Sequence, residues 1–176
     1  MEDVWGLEAP GSPDDFAHVV QLIAAGDPAH SSSYAVRALF ALRWAIGAVL
    51  GWDDAGARPG SGSPTLRERL PADLRGRPGP EFAAQPFTSL YLLEDEFAAE
   101  IANRTMHGVL HVGLVAEPNG GHRGQIAVLV KPNGLLGIAY MAAIRPFRHL
   151  LVYPPLLAEY ERRWRSAADE PAPSRA

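Results

Sequence analysis

The chain has 176 residues, of which 47% are hydrophobic and 20% are charged, so it is long enough to bury the core of one globular domain. Its formal net charge of −4 offers no basic face for nucleic-acid phosphates. The absence of cysteine excludes disulfides, thiolate catalysis and cysteine-ligated metal sites.

The amino terminus, MEDVWGLEAPGSPDD, carries acids where a secretory signal peptide needs positive charge, and no apolar segment follows it. No window reaches the ~18 uninterrupted apolar residues of a membrane-spanning helix. We therefore predict a cytoplasmic protein with no membrane span and no nucleic-acid partner.

The first half of the chain is predicted to contain a strand, a long helical region and a loop. Residues 14–24, DDFAHVVQLIA, include the β-branched and apolar core of a short strand. Residues 31–52 begin with three serines that can cap a helix, and they predict one long buried helix or two consecutive ones. Residues 53–85 predict a long exposed loop, either a lid or a tolerated insertion, with one helical turn that Ser63 caps and Pro64 begins.

Closely spaced strands are predicted next, over FTSLYLLED, FAAEIANRT, MHGVLHVGLVAE and GQIAVLVKP. Short turns between them favour an antiparallel meander over residues 87–131. One face of the last two strands is apolar, with Leu110, Val112 and Ile126, whereas the opposite face is mixed and carries His107 and His111. A sheet with one apolar face needs a covering layer.

The stretch NGLLGIAYMAAIRPFRHLLVYPPLL, residues 133–157, is predicted to supply that cover. Its first three turns are apolar all round, which is typical of a buried helix. Pro146 predicts a kink, and Pro154 with Pro155 predicts a break or restart. An apolar helical stripe follows, comprising Leu156, Leu157, Tyr160 and Trp164. Residues 166–176 are predicted to be a disordered tail.

Several side chains could carry chemistry. His107 and His111 would share one face of a helix and could bind a metal, but on a strand they lie about 13 Å apart, and the surrounding valines and glycines favour the strand. The acids at 94–96 could act in acid–base catalysis, although the apex of a hairpin explains them more simply. Glu100 lies within a strand between Ala98 and Ala102, and either these small neighbours make room for a ligand beside it or its face is simply exposed. Ser89 has no acid or base at a recognisable spacing.

Three polar residues of the C-terminal helix are the strongest candidates. Arg145 and His149 are four residues apart, and Tyr140 lies about one turn before them. A buried guanidinium needs a partner, so Arg145 either faces a cavity mouth or reaches solvent beside Pro146. A neutral histidine in an apolar cavity could serve as a base near neutral pH.

The order of these elements resembles the START/pollen-allergen superfamily (SRPBCC), an α+β helix-grip fold. There a curved antiparallel sheet wraps a long, here kinked, C-terminal helix around an apolar cavity. The segments LEDEF, HGVLHVGLV and 133–157 are more closely similar to a bacterial family within it, domain of unknown function 2867. Its Gly-x-x-Tyr helix, Pro-Phe pair and histidine correspond here to Gly137, Tyr140, Pro146, Phe147 and His149. The resemblance covers roughly residues 14–160 and implies one domain over 1–165.

The resemblance implies binding of a hydrophobic small molecule in the cavity, with polyketide-cyclase-like chemistry of the cyclase, dehydratase or isomerase type and without a cofactor. No catalytic residue is established for the family. We predict Tyr140 and His149 as the acid–base groups and no metal site. The predicted ligand-binding residues are Tyr91, His111, Met141, Ile144 and Arg145. The alternative is a non-catalytic regulatory or protein-interaction module with a largely filled cavity, and a homodimer is compatible with both functions.

Overall fold

The structure is a computed structural model that describes residues 2–11, 13–26, 65–102, 106–118, 120–147, 149–150 and 153–169. It confirms the predicted α+β class and the antiparallel meander, within a five-stranded sheet of order β1-β5-β4-β3-β2. The strands are β1 (Glu2–Gly11), β2 (Thr88–Leu92), β3 (Glu96–Ala102), β4 (Met106–Ala116) and β5 (His122–Pro132). The first strand therefore pairs with the last, and the predicted helices of residues 31–52 lie outside the described residues.

Strand β1 was not predicted from the sequence. It forms an edge of the sheet, and its pairing with β5 shifts register between Gly6 and Pro10. Its side chains alternate, because Leu7 is buried in the core whereas Val4 and Gly6 are exposed. The sequence of β1 does not show this alternation clearly, because it contains acidic residues, glycines and a proline. These residue types are tolerated best in an irregular edge strand.

The predicted strand at residues 14–24 is wrong, because this segment is helix α1 (Pro13–Ala25). Phe16, Val19, Val20 and Ile23 are all buried, and their spacing of three and four residues is the helical one. Asp14 and Asp15 lie in the first turn, where negative charge suits the helix dipole. The adjacent β-branched residues suggested a strand, but the periodicity of the whole segment is that of an amphipathic helix.

Helix α1 and the helix Tyr153–Asp169 cover the apolar face of the sheet, here called the core face. Leu110, Val112 and Ile126 form one cluster with the apolar side of α1 and with Trp164. Trp164 is fully buried above Gly124, where an added Cβ would lie 2.6 Å from the indole Cζ3 atom. The glycine therefore provides the space that the indole occupies.

The predicted covering helix divides into α3 (Gly134–Phe147) and α4 (Tyr153–Asp169), and the short α2 (Ala72–Arg75) precedes the meander. Helix α3 begins as predicted but is not buried all round, because Leu135 is 85% exposed and Ile138 is 54% exposed while Met141 is buried. Pro146 lies in the last turn of this α-helix, residues 149–150 are π-helical, and the kink predicted at Pro146 stays a prediction because residue 148 lies outside the described ones. The prolines at 154 and 155 occupy the first turn of α4, as the predicted restart requires.

The predicted stripe on α4 is confirmed at Tyr160 and Trp164, which are buried in the core cluster with Leu156 and Leu157 packed against it. On another side of the same helix, Glu161 and Arg165 form an ion pair at 3.5 Å between residues four apart. Helix α4 continues to Asp169, four residues into the predicted tail, and residues 170–176 lie outside the described ranges.

The described part of the predicted loop contains a 3-10 helix, Leu66–Arg69. Its cap is Thr65, whose hydroxyl oxygen accepts a hydrogen bond from the Arg67 backbone at 3.1 Å, whereas Ser63 and Pro64 lie outside the described residues. Residues 75–78 are exposed, as predicted for the loop, whereas most of residues 79–85 are half-buried and Phe82 packs against the core cluster, so the exposed loop is confirmed only in part. Residues 53–64 lie outside the described ones. The turn brings the loop back onto the sheet at β2 and β3.

Candidate acid–base site on the mixed face of the sheet

The face of the sheet opposite the core, here called the mixed face, carries polar and small side chains in cross-strand rows. One row runs across all five strands through directly paired residues: Val4, Ala127, His111, Ala98 and Tyr91. The next row contains Gly6, Gln125, Gly113 and Glu96. On the other side of the first row, Leu129 pairs with Val109 and Val109 pairs with Glu100.

Tyr91, Glu96 and His111 form a hydrogen-bonded triad on this face. The Tyr91 hydroxyl donates to Glu96 Oε1. His111 Nε2 lies 3.0 Å from the same oxygen. An ionised carboxylate only accepts hydrogen bonds, so His111 donates from Nε2–H, and the Nδ1 atom of the neutral ring keeps its lone pair.

Electrostatics fix the protonation states of Tyr91 and Glu96 in this triad. The hydrogen bond from Tyr91 lowers the pKa of Glu96 below its ordinary value, partial burial opposes that change, and His111 lowers the pKa further. Burial raises the pKa of Tyr91, and the hydrogen bond to Glu96 and its negative charge raise it again. Tyr91 therefore stays a donor, Glu96 stays an anion, and His111 is held in an orientation suited to a base.

Gly113 makes the contact between His111 and Glu96 sterically possible. Gly113 pairs directly with Glu96 across the strands and follows His111 by two residues on the same face. A Cβ atom at position 113 would lie 3.3 Å from His111 Cε1. The imidazole therefore lies over the glycine, in space that another side chain would fill.

A second histidine–carboxylate pair lies further along the same two strands. His107 Nε2 is 2.9 Å from Glu100 Oε2, which also accepts a hydrogen bond from the Leu66 backbone at 3.0 Å. The Thr65 hydroxyl donates to the other oxygen, Glu100 Oε1. Glu100 is only 1% exposed. The sequence left open either room for a ligand beside Glu100 or an exposed face. Neither interpretation is correct, because Glu100 is buried and anchors the loop to the sheet.

Accessibility distinguishes the two pairs. The side chains of His111 and Glu96 are 30% and 39% exposed, whereas Glu100 is sealed by three donors. A group must reach a substrate to exchange a proton with it. The triad around Glu96 is thus suited to chemistry, and the cluster around Glu100 is suited to holding the fold.

The structure brings together only some of the residues predicted to form the site. Tyr91 and His111 share Glu96, as described above. His149 lies on the core-face side, where its Nε2 atom is 3.5 Å from Asp3 Oδ1. Tyr153 also donates to Asp3, at 3.1 Å, and its ring packs on Trp5 at a centroid distance of 4.2 Å.

The remaining predicted residues lie on α3. Met141 is buried, Ile144 is half-buried and Arg145 is exposed, which agrees with a guanidinium that reaches solvent. The side chain of Tyr140 lies outside the described ones. The cavity predicted between the sheet and residues 135–153 involves residues outside the described ones and remains a prediction.

The acids at 94–96 divide between the two interpretations given from the sequence. Glu94 and Asp95 are exposed at the hairpin apex and, with His122, line a shallow surface depression of about 280 Å³. Glu96 is instead the first residue of β3 and belongs to the triad. Its role was missed because sequence proximity grouped it with its solvated neighbours, whereas strand alternation could have placed it beside His111.

His107 and His111 lie on strand β4, as predicted, and therefore do not bind one ion together. Across the described parts of the chain, no group of three histidine or acidic side chains is arranged to hold a metal. No helix in those parts is long and apolar enough to cross a membrane.

A family model described as Protein of unknown function (DUF2867) matches residues 1–155. The chain belongs to the DUF2867 family. The matched span includes all five strands and every residue of both histidine–carboxylate pairs, so the mixed face is part of the DUF2867 domain. No curated protein and no solved structure matches the chain.

Proposed function

We propose that this DUF2867 protein binds a small apolar molecule on the mixed face of its sheet and catalyses proton transfer on it without a cofactor. The observation that carries the proposal is the Tyr91–Glu96–His111 triad, partly open to solvent and bordered by small and apolar residues. Of the residues predicted from the sequence, the proposal uses Tyr91 and His111.

Apolar side chains beside the triad support binding of an apolar molecule. Val4 is 57% exposed, and Leu129 is also exposed although both belong to strands of the sheet. Ala127, the direct partner of His111 on β5, is small and only half-buried, whereas Ala98, its partner on β3, is 3% exposed. Burying exposed apolar surface is favourable by roughly 25 cal/mol per Å², so these residues favour an apolar ligand.

The chemistry follows from the protonation pattern of the triad. His111 Nδ1 accepts a proton from a carbon or hydroxyl of the substrate, and the imidazolium that forms is stabilised by ionised Glu96. Returning that proton to another substrate atom gives an isomerisation. Returning it to a departing hydroxyl group gives water and an unsaturated product, which is a dehydration. Tyr91 fixes the carboxylate throughout.

The helix-grip assignment within the START/pollen-allergen superfamily is part of this proposal. It is supported by the pairing of the first strand with the last strand of the meander and by the packing of the C-terminal helix α4 on β1 and α1. The helix-grip resemblance suggests that the fold can bind small apolar molecules, while the residues of this chain suggest which face they use.

Native mass spectrometry of the purified protein tests the binding step. We expect a co-purified small molecule on the wild type and on Ala143→Leu, which adds the same bulk at an exposed position of α3. Ala127→Leu adds it beside His111 and should reduce the occupancy. Equal occupancy in all three proteins would place the ligand away from the mixed face and contradict the proposal.

A second candidate function, a non-catalytic protein-interaction module, is favoured by the exposed apolar residues of α3. Leu135 and Ile138 are one helical turn apart and mostly exposed. Self-association measured by sedimentation, and lost in Leu135→Ser but not in Ala127→Leu, would support this candidate. A monomer at all concentrations would count against a homodimer formed through this surface.

A further inference from the structure

The geometry points to a carboxylate-bearing substrate for the mixed face, with Arg123 as the residue that binds the carboxylate. This inference rests on the proposed function and names the substrate class for the same site. It is carried by one cross-strand row that holds a guanidinium at one end and the triad at the other.

The side chain of Arg123 lies over one end of the row that contains Gly6, Gln125, Gly113 and Glu96. It lies on β5 two residues before Gln125, on the mixed face. A Cβ atom at Gly6 would be 3.2 Å from Arg123 Nη1 and 3.5 Å from its Cζ atom. The guanidinium therefore lies above Gly6, in the row that continues through Gln125 and Gly113 to Glu96.

Two glycines thus make space in the same row for two functional groups. Arg123 lies over Gly6 on β1, and His111 lies over Gly113 on β4, with Gln125 on the strand between them. Two strand spacings separate the glycines, which gives about 10 Å between the guanidinium and the imidazole. Subtracting two hydrogen bonds of about 3 Å each leaves about 4 Å, the length of a few covalent bonds.

Negative and positive side chains of the mixed face lie on different strands, and this arrangement suits an anionic ligand. The carboxylates Glu96 and Glu100 lie on β3, whereas Arg123 and Lys131 lie on β5, and the two histidines are on β4 between them. Within the described ranges, neither Arg123 nor Lys131 has an ion-pair partner. An anionic group is therefore attracted to the β5 side and repelled from the β3 side.

The matching ligand is a carboxylic acid with an apolar body and a reacting atom a few bonds from the carboxylate. Its carboxylate accepts hydrogen bonds from the Arg123 guanidinium, a planar donor suited to two carboxylate oxygens. Gln125 can add an amide donor beside it. The apolar body lies over Ala127 and its exposed neighbour Val4, and the reacting atom reaches His111.

Binding of phenylbutyrate, compared with its neutral analogue phenylbutyramide, tests this assignment by calorimetry at low salt. We expect the carboxylate to bind about three- to tenfold more tightly than the amide, because an accessible ion pair contributes on the order of 1 kcal/mol. Arg123→Gln should abolish the difference. Arg162→Gln, which removes the same charge from an exposed position on α4, should retain it.

The outcomes separate this inference from the function on which it rests. Equal binding of both compounds that Ala127→Leu weakens would overturn the carboxylate assignment and leave apolar binding on the mixed face intact. A preference for the carboxylate that survives Arg123→Gln would also overturn it. Binding of neither compound would overturn the inference and count against the proposed function as well.

Discussion

At the scale of single residues, Glu96 differs from the two acids that precede it in the chain. Glu94 and Asp95 are exposed, whereas Glu96 is half-buried and accepts hydrogen bonds from Tyr91 and His111. The hydrogen bonds favour the charged form of this carboxyl group more than partial burial disfavours it. Glu96 therefore stabilises the folded state as an anion and orients the histidine.

Stability should depend on pH through this residue. Because the folded-state pKa of Glu96 lies below its ordinary value of 4.5, its contribution is present above that pH and is lost as the pH falls through the lowered pKa. Glu96→Gln should destabilise the fold near neutral pH, and its difference from wild type should shrink under acid conditions. Urea unfolding across this range measures the difference, with exposed Glu94→Gln as the control. A difference that did not vary with pH would contradict the role assigned to Glu96.

Gly113 should be required for the orientation of His111. In Gly113→Ala the new methyl group lies 3.3 Å from Cε1, so the ring must shift by a few tenths of an ångström and its bond to Glu96 should weaken. The Nε2 proton signal of His111 in NMR spectra should broaden or move toward that of a solvent-exposed histidine. Gly76→Ala is the matched control, since nothing lies within 4 Å of its added Cβ. An unchanged signal in Gly113→Ala would show that the ring does not depend on the glycine.

At the scale of elements, two features join segments that are distant in sequence. The 3-10 helix after Thr65 is anchored to β3 through Glu100, and α4 is anchored to β5 through Trp164 and Gly124. Both contacts are buried, so changes there should affect stability more than changes at exposed positions.

Glu100→Gln should destabilise the protein by about 1–3 kcal/mol, because an amide oxygen cannot accept all three hydrogen bonds and its NH₂ group faces another donor. The segment after Thr65 should also become more sensitive to limited proteolysis. Unfolding in urea and a proteolysis time course measure the two effects. A loss of stability without faster cleavage near residues 65–75 would contradict the anchoring of this loop by Glu100.

Gly124→Ala should be costly although it adds only one methyl group. The added atom would lie 2.6 Å from one atom of the Trp164 indole and 3.0 Å from Leu7, and both side chains are buried. We expect a loss of about 1–3 kcal/mol in the free energy of unfolding, which is typical of an overpacked core. Gly76→Ala should change stability by less than about 1 kcal/mol. Equal effects of the two substitutions would mean that α4 does not pack on β5 as described.

At the scale of the whole molecule, local patterns predicted the meander and the apolar stripe of α4 correctly. They failed for α1, because adjacent valines resemble a strand when the spacing of Phe16 and Ile23 is ignored. They missed β1, because its pairing partner lies more than a hundred residues away in the chain. Long-range pairing also forms the site, since Tyr91 and His111 meet only through the register of β2, β3 and β4.

The predicted cavity and the mixed face lie on opposite sides of the sheet. Two neighbouring alanines of β3 can show on which side a ligand binds. Ala98 pairs with His111 on the mixed face and is 3% exposed, whereas Ala99 is fully buried on the core face. Their methyl groups therefore provide matched NMR probes within one strand. Ala127 gives a second probe on the mixed face.

The most direct test of the proposed site is a titration of alanine-methyl-labelled protein with phenylbutyrate, followed by methyl NMR. If the ligand binds on the mixed face, the Ala98 and Ala127 signals should shift in a saturable manner while the Ala99 signal stays in place. A saturable shift of Ala99 with no change at Ala98 and Ala127 would place the ligand on the core face and contradict the account.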